Sequence, residues 1–174
     1  EAYLSAIETA RHEVLLANAY FLPGRRFRKA LMAAARRGVQ VTLLLQGRAE
    51  YRLLYYATRA IYADLLAAGV RIFEYRRGFL HAKVAVIDDD WATVGSSNID
   101  PFSLLLAREA NVVIRNGAFT AQLRDDLQQT LRTASQEVTV ATERRGPWGT
   151  RLLGRWAYAL VRLLIELAGY GNRH

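Results

Sequence analysis

Residues 79–100 read FLHAKVAVIDDDWATVGSSNID, and this is the most informative stretch of the chain. Two short apolar runs, 83–87 and 92–94, flank a turn of three aspartates at 88–90. Apolar runs of this length around a polar turn predict a pair of antiparallel strands. The segment Gly95-Ser96-Ser97-Asn98 follows the second run, so a hairpin would bring its hydroxyl and amide groups to the edge where the first strand begins.

The rest of the chain alternates short apolar runs with helical patterns, which predicts an α/β layered domain. The runs VTLLL, KVAVI and NVVI are apolar on both faces, as expected of strands that helices cover on both sides. Gly38 and Gly69 each follow a helical pattern and are expected to end it. The predicted strands are 13–19, 39–45, 70–75, 83–87, 92–94 and 111–115, and the predicted helices are 2–11, 27–37, 50–68 and 119–134.

Composition excludes several classes of protein. The 174 residues are enough for one domain with a core, and 52% of them are hydrophobic. The chain has no cysteine, which excludes disulfide scaffolds, cysteine-ligated zinc and cysteine nucleophiles. The net charge of +8 favours an anionic partner: nucleic acid, an acidic membrane surface or a phosphate-bearing substrate. Because the chain begins with Glu1 and a helical pattern starts at once, we interpret it as a fragment of a longer protein.

A basic tail at 143–174 follows the domain at 1–142, with a predicted linker at 143–147 and a predicted helix at 148–170. At about 100° per residue, Arg151, Arg155 and Arg162 share one face of that helix. The opposite face carries the apolar side chains Leu152, Trp156, Leu160, Leu163, Leu164 and Leu167.

A spanning helix is disfavoured, because Arg155, Arg162 and Glu166 would lie in hydrocarbon. A helix in the membrane interface fits better, with Arg151, Arg155 and Arg162 toward anionic headgroups and Trp156 near the interface. The alternative is an ordinary amphipathic helix that docks on the domain or on another part of the protein.

His81 and Lys83 place an acid–base group beside a fixed cation. They lie two residues apart at the start of a predicted strand, where the period of two puts both side chains on one face. With the donors of residues 95–98, this pair suits a phosphoryl group and its negative oxygens. Glu109 opens the next predicted strand and is a candidate to hold the other ring nitrogen of His81, which would fix its tautomer.

The whole pattern is HxKxxxxD followed after six residues by GSxN, and it runs from His81 to Asn98. This resembles the HKD motif of the phospholipase D superfamily. The resemblance implies an α-β-α sandwich around a mixed central sheet, and cleavage or exchange of phosphodiesters with neither a metal nor another cofactor. In this superfamily one histidine attacks phosphorus to form a phosphohistidine. The histidine of a second motif protonates the leaving alcohol and then deprotonates the incoming water or alcohol.

The resemblance also gives roles to residues of this chain. His81 becomes a catalytic histidine, and Glu109 matches the acid that orients a histidine. Asp88 belongs to the catalytic motif, although its role in the superfamily looks structural. The expected phosphate ligands are Lys83, Ser96 and Asn98.

One motif supplies half of an active site. We therefore expect either the N-terminal HKD half of the same parent chain or a second copy in a homodimer. In members with two motifs the N-terminal histidine is usually the nucleophile, which would make His81 the general acid and base.

The segments AYFLPG at 19–24 and WATVGSSNIDP at 91–101 narrow the resemblance. They are similar to the C-terminal half of bacterial phospholipase D-type cardiolipin synthases, most closely the B-type enzymes, over roughly residues 1–140. This implies a phosphatidyltransferase that joins two phosphatidylglycerols into cardiolipin and releases glycerol, peripheral on the cytoplasmic side of the bacterial inner membrane. Its partners would be anionic phospholipid and the membrane surface, with no nucleic acid. Tyr20 and Phe21 are candidates for the wall of the site, with core packing as the alternative.

Three other functions stay open. A homodimeric nuclease or other phosphodiesterase would use the same HKD chemistry, but the positive charge is concentrated in a tail whose other face carries Leu and Trp. A phospholipase D would hydrolyse lipid, with water in place of the lipid alcohol. A non-catalytic lipid-binding half would not need the intact His81, Lys83 and Asn98.

Overall fold

The computed structural model describes residues 1–100, 108–145 and 148–167. Its strands are β1 (Glu13–Asn18), β2 (Gln40–Gln46), β3 (Arg71–Tyr75), β4 (Lys83–Ile87), β5 (Trp91–Gly95), β6 (Asn111–Arg115) and β7 (Ser135–Val138). Its helices are α1 (Ala2–Thr9), α2 (Arg25–Arg36), α3 (Arg52–Arg59), α4 (Tyr62–Ala67), α5 (Gly117–Ala134), α6 (Val140–Arg145) and α7 (Trp148–Leu167).

The strands of the described ranges form one mixed sheet in the order β6-β5-β4-β1-β2-β3-β7. β1, β2 and β3 run parallel, and β4 pairs antiparallel with β1. β5 and β6 continue the sheet on that side as antiparallel strands, and β7 closes the other side against β3. The carboxyl ends of the parallel strands, the start of β4 and the end of β5 therefore lie at one edge.

Helices cover both faces of the sheet. Alternate residues of the strands, such as Val14 and Leu16, pack in one core with α1, α2 and α4. The intervening residues, such as Leu15 and Ala17, pack in a second core with α5. The predicted α-β-α sandwich with a mixed sheet is confirmed, and the double coverage explains why the strand sequences are apolar on both faces.

Local sequence explains where several helices begin and end. The Asn116 side chain accepts a hydrogen bond from the Phe119 amide at 3.0 Å, which caps the start of α5. Gly38 and Gly69, with φ of +93° and +92°, follow α2 and α4 in the left-handed conformation that glycine adopts at low cost. Both glycines therefore end helices as predicted.

The structure differs from the predicted elements in three places. The helix predicted at 50–68 is broken into α3 and α4, where the chain tightens and the Ile61 amide donates to the Thr58 carbonyl at 3.2 Å. β7 was not predicted, because its sequence SQEV lacks an apolar run. The predicted linker at 143–147 overlaps α6, which extends to Arg145. Residues 146–147 lie outside the described part.

α7 docks on α3 through small side chains. Ala157 and Val161 of α7 are buried against Ala57 of α3 and Leu22. Gly154 lies so close to α3 that an added Cβ would meet the Tyr56 carbonyl at 3.0 Å. The tail helix thus forms a further layer on the domain, and this contact surface was not predicted from its pattern.

Candidate active site

The motif residues meet at the carboxyl edge of the parallel strands. Asn18 at the end of β1 pairs with Lys83 at the start of β4, and Gly95 at the end of β5 pairs with Asn111 at the start of β6. Ile87 pairs with Trp91 across a three-residue turn, so β4 and β5 form the predicted hairpin. Segments 81–83, 95–98 and 108–110 therefore emerge beside one another.

Lys83 is a buried cation at this edge. It is 7% exposed, and its Nζ donates a hydrogen bond to the His81 carbonyl oxygen at 3.3 Å. Burial lowers the pKa of Lys83, while the carboxylates of Glu109 and Glu50 act in the opposite direction. The ammonium thus lies within electrostatic reach of two carboxylates, one on each side of β4.

His81 is exposed and precedes β4 by two residues, so it stands at the opening of the site rather than within the sheet. In the described residues, no hydrogen bond joins the His81 ring to Glu109 or to another side chain. The expected hydrogen bond from Glu109 to the histidine ring is therefore not formed. Glu109 is exposed, and its carboxylate acts on Lys83 instead.

The turn after β5 requires glycine and holds the start of β6. A Cβ at Gly95 would lie 1.7 Å from Oδ1 of Asn111 and 2.5 Å from the Ala110 carbonyl oxygen. The Ser96 hydroxyl accepts from the Ala110 amide at 3.2 Å, and the Ser96 amide donates to the Ala110 carbonyl at 3.0 Å. Ser96, an expected phosphate ligand, therefore also fixes the segment that carries Glu109.

Two asparagines fasten this turn to the segment that follows β1. Oδ1 of Asn18 accepts from the Ile99 amide at 3.1 Å, and Oδ1 of Asn98 accepts from the Tyr20 amide at 3.2 Å. Both asparagines are buried, at 1% and 8% exposure. The Asn98 amide nitrogen remains available as a donor at the edge where Lys83 begins β4. The structural role of Asn18 was not predicted, although a buried polar residue that ends an apolar strand is a usable signal.

Asp88 lies away from this edge, which corrects its inclusion among the catalytic residues. It directly follows β4, at the opposite edge of the sheet from Lys83. Its carboxylate accepts hydrogen bonds from the Arg11, His12 and Glu13 amides at 2.9, 2.8 and 3.0 Å. Burial alone would raise the pKa of Asp88, but these backbone bonds outweigh it and lower the pKa. Asp88 thus fixes the start of β1 and has no access to a substrate bound at Lys83.

A second group of residues at the site was missed by the sequence analysis. Glu50, in the segment between β2 and α3, accepts a hydrogen bond from the Tyr20 hydroxyl. Arg76 and Arg59 bind the carboxylate of Glu74, which is 1% exposed, at 2.5 and 2.7 Å. Ligands in open α/β sheets gather beyond the carboxyl ends of parallel strands, and this rule could have drawn attention to residues just after β2.

The residues predicted to face a membrane lie on α7. Arg155 is exposed, Trp156 is 69% exposed and Arg162 is half-buried. The side chain of Arg151 lies outside the described part. None of the helices in the described ranges combines the length and apolarity that crossing a bilayer requires. Nor do the His, Asp and Glu side chains described there gather into a group that could ligate a metal ion.

Solved structures with this architecture give the class. The phospholipase D family member Nuc from Salmonella typhimurium superposes with a TM-score of 0.68 at 23% identity, over 79% of this chain and 89% of that one. Phosphatidylserine synthase from Haemophilus influenzae Rd KW20 superposes with a TM-score of 0.71 at 15% identity, over 92% of this chain and 42% of that one. The fold is therefore that of the phospholipase D class.

The family follows from sequence comparison. Residues 3–131 match the family model described as the PLD-like domain of cardiolipin synthase, and the chain belongs to this family. Cardiolipin synthase B of Escherichia coli K12 is 43% identical over 172 residues, which are 99% of this chain and 42% of that protein. Cardiolipin synthase 2 of Bacillus anthracis is 36% identical over 134 residues, or 77% of this chain and 26% of that protein. The chain thus spans less than half the length of these relatives.

Proposed function

We propose that the chain supplies one half of the active site of a phosphatidyltransferase, which makes cardiolipin from two phosphatidylglycerols and releases glycerol. The observation that carries this proposal is the convergence of His81, Lys83 and Asn98 at one edge of the sheet. An acid–base group, a cation and an amide donor together suit a phosphodiester whose negative oxygens must be held during transfer. The relatives named cardiolipin synthase supply the substrate class.

In the first half-reaction the donor phosphate binds with its oxygens toward Lys83 and the Asn98 amide, with Ser96 as a further ligand. A histidine of a second HKD half attacks phosphorus, so a phosphorus–nitrogen bond forms while the bond to the glycerol oxygen breaks. His81 gives its proton to that oxygen, and glycerol leaves. The phosphatidyl group then rests on the second histidine.

In the second half-reaction a hydroxyl of another phosphatidylglycerol approaches phosphorus. His81, now neutral, takes its proton, the phosphorus–oxygen bond forms and the phosphorus–nitrogen bond breaks. Water would give phosphatidic acid instead, so a transferase must keep water from the phosphohistidine. Proton uptake at this step restores the initial state of both histidines.

The second half would come from elsewhere in the same protein or from a second copy of the chain. The exposed position of His81 at the opening of the site supports this, because its ring is free to face another surface. The same surface would enclose the phosphate that Lys83 and Asn98 hold from one side. The chain is thus proposed to act together with that half rather than alone.

The enzyme is further proposed to work on the surface of the bacterial inner membrane, on its cytoplasmic side. α7 docks on the domain with the face that carries Gly154 and Ala157, and a different face remains exposed. That exposed face carries the apolar side chains Leu152, Leu153, Trp156, Leu160, Leu163 and Leu164, at 45–69% exposure. An exposed apolar stripe beside arginines suits an anionic lipid surface better than water.

The experiment that tests the function uses the full-length gene product and its His81→Ala variant on phosphatidylglycerol vesicles with EDTA. Lipids and glycerol are followed by mass spectrometry. Cardiolipin and glycerol, formed only when His81 is present, are the expected result. Phosphatidic acid without cardiolipin would contradict the transferase and indicate hydrolysis. Absence of any lipid product would contradict both and make plasmid DNA the next substrate. Residual turnover of the variant above about a few per cent would contradict the role of His81.

A further inference from the structure

A tyrosine and a glutamate lie beside the proposed phosphate ligands with no role in the reaction just described. The Tyr20 hydroxyl donates a hydrogen bond to the Glu50 carboxylate, and the Tyr20 ring packs edge-on against Tyr51 at 5.4 Å. Burial, the hydrogen bond and the charge of Glu50 raise the pKa of Tyr20. The phenol therefore keeps its proton and acts as the donor, and Glu50 as the acceptor.

The pair is linked to two of the proposed phosphate ligands, Asn98 and Lys83. The Tyr20 amide donates to Oδ1 of Asn98 at 3.2 Å, so the Tyr20 backbone is fixed against that ligand. The Glu50 carboxylate acts electrostatically on Lys83 from the β2 side, whereas Glu109 acts from the β6 side. A group attached to a phosphate at Lys83 and Asn98 therefore has Tyr20 and Glu50 as neighbours.

The segment that carries Glu50 is fixed at its start, Gly47. A Cβ at Gly47 would lie 2.5 Å from the Tyr75 carbonyl oxygen, so only glycine fits there. Arg76 donates to the Gly47 carbonyl at 3.1 Å and is itself held by the buried carboxylate of Glu74 at 2.5 Å. Glu50 thus lies three residues after a position that these contacts fix, and fixing a binding segment in advance lowers the entropic cost of binding.

The charges nearby decide which headgroup suits this carboxylate. Lys83 lies within its reach, and the adjoining turns carry the exposed arginines Arg48, Arg76 and Arg77. A cationic headgroup would meet these positive charges as well as Glu50. A neutral headgroup with hydroxyls would not, and the Glu50 oxygens that Tyr20 leaves unused are acceptors for hydroxyl donors.

We propose that Tyr20 and Glu50 bind a vicinal diol attached to, or attacking, the phosphate held by Lys83 and Asn98. This inference rests on the proposed function. One hydroxyl of an attacking diol would donate to Glu50, so that the other faces His81 and phosphorus; in a leaving headgroup the diol binds Glu50 and the ester oxygen faces His81. Glu50 forms and breaks no covalent bond and gives up no proton. It determines which alcohol is transferred, and free glycerol and the headgroup of phosphatidylglycerol carry the same diol.

The test is a competition between alcohols in the full-length gene product. Vesicles of phosphatidylglycerol supply the phosphatidyl group, and deuterated glycerol and 1-propanol are offered together at equal concentration. The ratio of deuterated phosphatidylglycerol to phosphatidylpropanol is independent of the amount of active enzyme. We expect Glu50→Ala to lower this ratio about tenfold, the value of one charge-assisted hydrogen bond. Tyr20→Phe should lower it less, and Glu50→Gln, which keeps an acceptor, should restore part of it.

Glu137 supplies the matched control. It is a half-exposed glutamate on β7, away from the site, and it forms an ion pair with Arg71 of β3. Glu137→Ala should leave the ratio unchanged. A further competition replaces glycerol with ethanolamine. Glu50→Ala could lower transfer to ethanolamine, relative to 1-propanol, more than it lowers transfer to glycerol. In that case Tyr20 and Glu50 recognise a cation, and the diol proposal is overturned.

Four other outcomes are informative. A ratio that stays constant in Glu50→Ala while total transfer falls would overturn the proposal, since Glu50 would then act only through Lys83 or the fold. A wild-type protein that transfers no phosphatidyl group would overturn the proposed function instead. Falls in both deuterated phosphatidylglycerol and cardiolipin relative to phosphatidylpropanol support binding of the lipid-borne diol. A fall in deuterated phosphatidylglycerol alone supports binding of free glycerol.

Discussion

Lys83 and Asp88 stand at opposite ends of one strand, β4, about 16 Å apart at ~3.3 Å per residue. Lys83 faces the site, whereas Asp88 ties the hairpin to the start of β1 through three backbone amides. Two members of one sequence motif therefore have separate roles: Lys83 is proposed to bind substrate, and Asp88 supports the fold. Substitution of Lys83 should therefore reduce activity, and substitution of Asp88 should reduce stability.

Asp88→Asn should destabilise the protein by about 1–3 kcal/mol, because the charged acceptor of three amide bonds is lost. The wild-type pKa of Asp88 is lowered in the folded state, so its contribution is present above the unfolded pKa of about 3.9 and is lost as pH falls through the folded value. The difference between variant and wild type should thus be full near neutral pH and shrink in acid. Urea unfolding at several pH values measures it.

The adjacent Asp89 is the control for Asp88. Its side chain is 91% exposed, with one long contact of 3.4 Å to Arg124, so Asp89→Asn should change stability little. Equal losses in the two variants, or a lost activity in folded Asp88→Asn, would contradict the separation of roles.

Glu109→Gln should move the alkaline limb of the profile of kcat/KM against pH to lower pH. Burial lowers the pKa of Lys83 and the Glu109 carboxylate partly offsets that effect, so removing the charge lowers the pKa of Lys83 further. The ammonium proposed to bind phosphate then loses its proton at a lower pH. The rate of cardiolipin formation, measured across pH with saturating and limiting substrate, gives the profile.

Glu8, an exposed carboxylate on α1, offers a comparison in which Glu8→Gln should leave the profile unmoved. An unshifted limb in Glu109→Gln, together with a uniform fall in kcat, would show that Glu109 acts by orienting His81 when substrate is bound. That result would restore the role expected from the sequence.

Gly95→Ala should remove most activity, because its Cβ would lie 1.7 Å from Asn111 Oδ1 and 2.5 Å from the Ala110 carbonyl oxygen. β6 and Glu109 must shift to admit it, at a cost of about 1–3 kcal/mol. Gly38→Ala is the contrasting variant, since nothing lies within 4 Å and only its φ of +93° is strained. It should lose about 1–2 kcal/mol and keep its activity per folded molecule. Thermal unfolding and turnover separate the two effects. Full activity in Gly95→Ala would contradict the expected displacement of β6 and Glu109.

Local patterns sufficed to predict β1 to β6 and the edge of the sheet where the motif residues meet. The period of the apolar runs depends only on neighbours in sequence, so the hairpin that begins at Lys83 and ends at Gly95 was predictable. The same holds for the two glycines that end helices. The bond from the Thr58 hydroxyl to the Phe21 carbonyl, which anchors α3 to the segment after β1, joins residues far apart in sequence. So do the Tyr20–Glu50 bond and the pairing of β7 with β3. Such contacts become visible only when the sheet has brought distant segments together.

The tail helix shows the same limit. Its sequence pattern indicates a basic face and an apolar face, and predicts no role for the small residues Gly154 and Ala157. At about 100° per residue they lie on a third face, which packs on α3. Docking and an exposed apolar stripe, two alternatives in the sequence, coexist in the structure because different faces serve them.

These faces can be tested separately. Trp156→Ser with Leu160→Ser should weaken binding to phosphatidylglycerol vesicles by at least about tenfold with little loss of stability, because both side chains are exposed, at 69% and 47%. Ala157→Leu should instead destabilise the packing of α7 on α3, because Ala157 is 5% exposed and leaves no room for a larger side chain. Co-sedimentation with vesicles and thermal unfolding read out the two effects.

Salt then separates the apolar stripe from the arginines. Arg155→Gln should reduce vesicle binding at low ionic strength and matter little near 1 M salt, where the Debye length falls to about 3 Å. The loss from Trp156→Ser should persist at high salt, since burial of apolar surface is not screened. Vesicle binding that neither substitution changes would mean that α7 only packs on the domain, and that the membrane contact must be sought on another surface.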